Sequence, residues 1–322
     1  MRRTAALLNV VVVLLGFAPA ANAAYSWPSN APYSVPVSKM DRALECKRGN
    51  HVSEHGARAL NGSGRKHPVL LVHGTGTTRR QNWEWNYWQT LPSMGWEVCW
   101  VALPNSSLRD IQVSSEYVAR AVTVMHRATK EPVDILGHSQ GGLQPRWAIK
   151  WFKSARFVAD YIALASPNHG TRVANDVSQN EGCIPSCWQM RRGSKFITAL
   201  NRDGETPGSI YYSSIYTAAD ELVQPTGTQD LRGASNILLQ DLCPGRPVDH
   251  VGIAADYVTW LLVRDALLHR GPADPDVVET EDCLEDTMPG ADDPPSGVGD
   301  LQDFTAQGEI TDHEPPLKPY AR

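Results

Sequence analysis

The stretch that most restricts this chain is Gly137-His138-Ser139-Gln140-Gly141, which stands between the apolar run Val133 to Leu136 and a helical stretch opening at Gly141. A serine on so tight a strand-to-helix turn takes a strained backbone, and side chains two positions to either side would collide, so glycine is required there. The turn lifts the Ser139 hydroxyl above a sheet and aims the first NH groups of the helix at whatever it attacks. Such a turn presupposes a parallel sheet, and the flanking sequence provides one. Pro68 to His73, Trp96 to Val101, Pro132 to Gly137 and Asp160 to Ala165 read as strands, mostly buried on both faces. Ser115 to Arg127 places Val118, Val122 and Met125 on one helical face, and Gly141 to Phe152 reads as a second helix. Ile210 to Tyr216 and Asn236 to Gln240 add strands, and Ala254 to His269 a last helix. Strand and helix in alternation predict a mostly parallel sheet wrapped by helices.

A serine hydroxyl is a weak nucleophile at neutral pH, so a base must take its proton and an acid must orient the base. In an architecture of this kind the chain order is Ser, then Asp or Glu, then His. Of the histidines after Ser139, His169 follows the next strand too soon, His269 sits near the end of the last helix, and His313 lies in an acidic tail. His250, in a loop ahead of that helix, is the candidate base. Asp220, beyond the strand-like run ending at Tyr216, is the favoured acid, with Glu221 and Asp249 as rivals. A developing oxyanion needs two donors. The Gln140 backbone NH is one, and Thr75 in the glycine-containing loop His73 to Thr78 is the other.

Composition limits the alternatives. The 322 residues are 42% hydrophobic and 20% charged with a net charge of -5, which excludes disorder throughout and gives no broad positive field for nucleic acid. Met1-Arg2-Arg3, an apolar run from Ala5 to Phe17 and Ala21-Asn22-Ala23 have the order of a secretory signal peptide over residues 1–23. No later run suggests a transmembrane segment, so an extracellular protein is expected. Residues 24–270 form the expected catalytic domain, with 26 basic and 21 acidic residues, whereas 271–322 carry 14 acidic and 2 basic residues among many prolines and glycines. That extension is expected to be loosely ordered and tethered by Cys283. All six cysteines (Cys46, Cys99, Cys183, Cys187, Cys243, Cys283) follow the signal segment, and an even count in an exported chain favours three disulfides, with 15 connectivities open.

Leu70 to Thr78, Ser139-Gln140-Gly141-Gly142-Leu143, Ala219 to Pro225 and Val248-Asp249-His250 together resemble segments of the lipase B-like serine lipases and esterases of the α/β-hydrolase superfamily. The likeness runs from about Pro36 to Cys283. It implies the α/β-hydrolase fold, hydrolysis of acylglycerols or other carboxylic esters, a triad of Ser139, Asp220 and His250, and oxyanion donors at Thr75 and Gln140. It also implies the pairings Cys46 with Cys99 and Cys243 with Cys283, leaving Cys183 and Cys187 to close a local loop. The family pattern has Trp where this chain has His138 and Asp where it has Asn168, so a smaller, more polar wall and a different alcohol-side selectivity are implied. His138, Asn168 and Trp188 are the candidates for the substrate pocket. The long alanine-rich helix that lines the family's cleft has no counterpart in the acidic extension.

The expected protein is therefore a monomeric, secreted hydrolase without metal or organic cofactor, acting on an ester or lipid, at a lipid-water interface where the substrate forms one. A polyester, wax or amide substrate and a non-catalytic binding protein of the same fold are the alternatives. Other signals carry less. His51-Val52-Ser53-Glu54-His55 has a zinc-protease spacing but barely a turn to present it, and the Cys183 to Cys187 spacing lacks a second ligand pair. The tail carboxylates lack calcium-loop spacing. Trp83, Trp85, Tyr87 and Trp88 read either as a lipid-facing rim or as aromatics packed on the sheet, the latter being favoured. Asn61-Gly62-Ser63 and Asn105-Ser106-Ser107 are glycosylation sequons.

Overall fold

The structure, a computed structural model, describes residues 31–49, 66–292 and 308–322. The signal segment, the His51 to His55 motif and the Asn61 sequon lie outside these residues. Seven strands, β1 (Leu44–Lys47), β2 (Val69–Val72), β3 (Val98–Val101), β4 (Val133–His138), β5 (Val158–Leu164), β6 (Tyr211–Tyr216) and β7 (Ser235–Leu238), form one sheet in the order β1-β3-β2-β4-β5-β6-β7. Only β1 runs antiparallel, against β3. The four-residue β1, on the sheet edge and only part-buried, is absent from the sequence reading because it offers neither an apolar run nor a strict alternation.

Among the described residues, ten α-helices accompany the strands: α1 (Val37–Ala43), α2 (Arg79–Trp83), α3 (Tyr87–Ser93), α4 (Ile111–Thr129), α5 (Leu143–Trp151), α6 (Arg172–Glu181), α7 (Pro185–Met190), α8 (Lys195–Asn201), α9 (Leu239–Leu242) and α10 (Tyr257–Leu268). Side chains alternate between the two faces of the sheet, as a strand requires. Leu70, Val72, Ile135 and Ala163 enter the core under α4 and α5. Val69, Leu71, Leu136, Ile162 and Leu164 enter the core under α3 and α10. This two-sided burial is why the central strands read as continuous apolar runs. Trp83, Trp85, Tyr87 and Trp88 are all buried in the second core, as packed aromatics and not as an exposed rim.

After β2 the chain crosses to β3 on one side and returns to β4 on the other, so the direction of winding reverses between β2 and β4. Loops leaving neighbouring strands at such a reversal diverge and open a crevice at their carboxyl ends. The His73 loop leaves β2 there, and Ser139 leaves β4.

The described parts of the acidic extension, residues 271–292 and 308–322, are tied to the body by specific contacts. Cys243 is bonded to Cys283, and the buried Arg246 guanidinium pairs with Asp256 and donates to the carbonyls of Cys283 (3.1 Å) and Glu285 (2.6 Å). Farther on, Thr311 exchanges backbone hydrogen bonds with Cys183, and the Glu314 carboxylate accepts from the backbone NH groups of Lys195 and Phe196 at 2.9 and 2.7 Å. Backbone pairing and charge-assisted contacts hold these segments where apolar burial is sparse.

Candidate active site

Ser139 has φ of 57°, in the left-handed region. Its neighbours show why alanine cannot replace the flanking glycines: a Cβ on Gly137 would lie 2.1 Å from the Gly141 carbonyl oxygen, and one on Gly141 2.2 Å from that of Val72. Gly74 is similarly pressed, since a Cβ there would come within 3.1 Å of the Ser139 Cβ. The glycine pattern thus brings the loop after β2 against the turn after β4.

His250 lies on the loop ahead of α10. Its Nδ1 is 2.9 Å from Asp220 Oδ2, and both side chains are buried. A carboxylate only accepts, so Nδ1 carries a proton and Nε2 is the nitrogen left for a proton acceptor's work. Asp220 is itself fixed: its Oδ1 accepts from the NH groups of Leu222 and Val223 at 2.9 and 2.8 Å. Glu221, a rival acid in the sequence, instead accepts from the His250 backbone NH at 3.3 Å, and Asp249 accepts from the Gly252 NH at 2.6 Å. Burial pulls the His250 pKa down, but Asp220, aided by Glu221 and Asp249, outweighs it and the net shift is upward.

The Thr75 hydroxyl donates to the Gln140 side-chain Oε1 at 2.5 Å, and the Gln140 amide donates to the Ser107 carbonyl at 3.1 Å. The two residues expected to supply oxyanion donors are therefore tied to each other beside Ser139. The loop that carries Thr75 is braced by His73. Its Nε2 accepts from the Leu103 NH at 3.1 Å, so Nδ1–H donates to the Gly74 carbonyl at 3.0 Å. That arrangement needs a neutral ring, and complete burial lowers the His73 pKa to about 4.

His138 lines the cavity next to Ser139. Its Nε2 donates to the His250 carbonyl at 2.8 Å, and burial followed by the charge of His250 lowers its pKa to about 3. In the neutral ring Nδ1 has no proton, so its 3.2 Å approach to Asn82 Oδ1 is a contact between two acceptors. The stronger tie is to His250, whose loop it holds against the Ser139 turn. Asn82 Oδ1 accepts instead from the Gly74 NH at 2.9 Å.

A cavity of about 890 Å³, including its open mouth, meets Ser139 and His250. Thr75, Thr77, Asn82 and His138 line one part, while Val173, Ala174, Val177, Ile184, Met190 and Val223 make an apolar part between α6, α7 and the Asp220 loop. The Cys183–Cys187 disulfide is also in this wall. Two expected pocket residues are elsewhere. Asn168 is fully buried behind the site, with its amide donating to the Gln229 carbonyl at 2.6 Å. Trp188 faces away from the cavity lining and donates its indole NH to the Thr311 carbonyl at 3.0 Å. Adjacency in sequence misplaced both: α7 turns Cys187 and Met190 to the cavity, which puts Trp188, about 100° round the helix, on another face.

The pattern for "Lipase (class 2)" matches residues 66–241 of the chain. The chain belongs to the class 2 lipases. Lipase B of Pseudozyma antarctica is 30% identical to this class 2 lipase over 248 residues, 74% of this chain and 69% of that protein. Among solved structures, Aspergillus fumigatus lipase B matches with a TM-score of 0.75 and 29% identity, covering 92% of this chain and 74% of its own. Bacillus licheniformis lipase BlEst2, in its propeptide form, matches with a TM-score of 0.56 and 16% identity over 71% of this chain and 55% of its own, and so shows the shared fold. The class 2 lipase is a lipase/esterase-type hydrolase with the α/β-hydrolase architecture. Its three disulfides join Cys46 to Cys99, Cys183 to Cys187 and Cys243 to Cys283. No helix among the described residues is long and apolar enough to cross a membrane.

Proposed function

We propose that this lipase is a secreted serine carboxylester hydrolase that works through an acyl-enzyme. Ser139 attacks the ester carbonyl while His250 Nε2 takes its proton and Asp220 holds the ring and offsets the charge it gains. The backbone NH of Gln140, with Thr75, stabilises the tetrahedral oxyanion. His250 then protonates the departing alcohol, and water repeats the sequence on the acyl-enzyme, so the carbonyl carbon gains one C–O bond and loses one in each half. Neither half needs a metal or an organic cofactor. His138, through the His250 carbonyl, keeps the base within reach of the serine turn.

The observation that carries this reading is the 2.9 Å His250–Asp220 contact on a cavity that also holds a serine strained to φ of 57°. Strain of this size, on the order of 1–3 kcal/mol, persists where surrounding structure enforces it, and glycines on both flanks do so here. The three disulfides support export of the mature chain, and the lipase relatives support an ester or lipid substrate. The aliphatic wall of α6 and α7 supports an apolar acyl group, with the alcohol leaving past His138 and Asn82.

A panel of p-nitrophenyl esters tests the reading. Esters with uncharged aliphatic acyl groups should turn over, and an ester of a dicarboxylic acid with its free carboxylate should be slower by at least ~100-fold, because nothing in the apolar wall offsets a buried charge. Equal rates for both, or no turnover of any ester in the panel, would overturn the assignment.

A further inference from the structure

At the foot of the sheet, opposite Ser139, three ligand-type side chains meet. His67 stands just before β2, separated from it by Pro68, Asp134 is the second residue of β4, and Asp160 is the third of β5. One donor atom from each lies within 4.8 Å of the others, and His67 Nδ1 is 3.0 Å from Asp134 Oδ1. Asp160 reaches the group because the pairing of β4 with β5 slips there: Val133 faces Val158 but Ile135 faces Tyr161, so β5 has one extra residue across the step. Such bulges re-aim a side chain.

The cluster is not self-sufficient. The residues Asp134 and Asp160 are 1% and 4% exposed, and their carboxyl groups touch. Asp160 Oδ1 has no hydrogen-bond partner despite its burial. Glu131 adds negative charge near His67, against the smaller opposing effect of Arg270. His67, 20% exposed, forms the solvent edge through which an ion and a water ligand can enter.

We propose that His67, Asp134 and Asp160 form a binding site for one divalent transition-metal ion of the zinc class, which fastens β2, β4 and β5 together below the catalytic end of the sheet. One imidazole nitrogen and two carboxylate oxygens suit zinc, with water completing a tetrahedron on the His67 side; calcium asks for six to eight oxygens and does not use imidazole. Bonds of about 2.0–2.2 Å separate tetrahedral ligands by roughly 3.5 Å, within reach of these side chains by small rotations. The ion neutralises the paired carboxyls and takes up the unpartnered oxygen. Its role is structural, and ester hydrolysis proceeds at the other end of β4 without it.

The test uses the full chain, stripped with a chelator and titrated with Zn²⁺ alone by calorimetry, with bound metal counted after dialysis by mass spectrometry. One equivalent should be retained and the melting temperature should rise. Affinity should increase with pH, with proton release, because the ligands must shed protons to bind. Asp160→Asn and His67→Asn should each weaken zinc binding on the order of 100-fold or more, while the metal-free variants hydrolyse esters as the parent does. His67→Asn, at the solvent edge, keeps the test intact if Asp160→Asn fails to fold. Retention of no zinc above background, equal retention by both variants, or calcium bound in preference to zinc would overturn the proposal.

Discussion

At the scale of single residues, the decisive feature is a chain of fixed donors and acceptors running from Leu222 and Val223 through Asp220 to the His250 ring, and from the His250 carbonyl to His138. Each link removes a degree of freedom that a reactive serine would otherwise have to wait for. Because Asp220 raises the His250 pKa against the pull of burial, the proposed base is protonated at acid pH and cannot take the serine proton. Hydrolysis should therefore climb with pH through a limb above the ordinary histidine value and level off on the alkaline side. Asp220→Asn should shift that limb to lower pH and cut kcat by about 10,000-fold, the order seen when a triad loses its carboxylate; a pH profile of kcat/KM for both proteins checks each part. That His250 and Asp220 would meet was legible in the sequence, since chain order and loop position left few candidates. Asn168 and Trp188 were not, because a pocket wall is assembled from α6, α7 and the Asp220 loop, and proximity to a motif does not say which way a side chain turns.

At the scale of elements, the turn between β4 and α5 is set by contact and not by propensity. A methyl group on Gly137 would meet the Gly141 carbonyl at 2.1 Å, backbone against Cβ, with no flexible neighbour to give way. Gly137→Ala should destabilise the fold by several kcal/mol, about 2–4 by the range for severe steric insertions, seen as a lower urea midpoint and loss of hydrolysis together. The central strands could be read directly, because burial on both faces writes itself as unbroken runs of Val, Leu and Ile. The cap helices α6, α7 and α8 could not. They are six to ten residues long, and α7 turns partly on Pro185 and the Cys183–Cys187 bridge, so each offers at most about three turns of pattern, too little to stand out from the surrounding loops.

At the scale of the whole molecule, the described parts of the extension after residue 270 form two clasps. Residues 271–292 are bonded through Cys283 and Arg246 to the loop that ends in His250, and residues 308–322 pair with Cys183 and cap α8 through Glu314. Composition pointed to a solvated tail because it records the absence of apolar material, whereas the clasps are built from backbone hydrogen bonds, a disulfide and carboxylates. Replacing Cys243 and Cys283 together by serine should lower stability by about 2–5 kcal/mol, and hydrolysis should fail at a lower temperature than the loss of helical circular dichroism, since the His250 loop loosens first. The proposed chemistry turns on the Ser139 hydroxyl being made reactive by His250. Treatment with a p-nitrophenyl alkylphosphonate, followed by peptide mass spectrometry, tests this most directly. The expected result is one phosphonyl group per chain, on Ser139, with hydrolysis lost in proportion, and no adduct in His250→Ala over the same interval. Persistent hydrolysis with Ser139 unmodified, or equal labelling in His250→Ala, would contradict it.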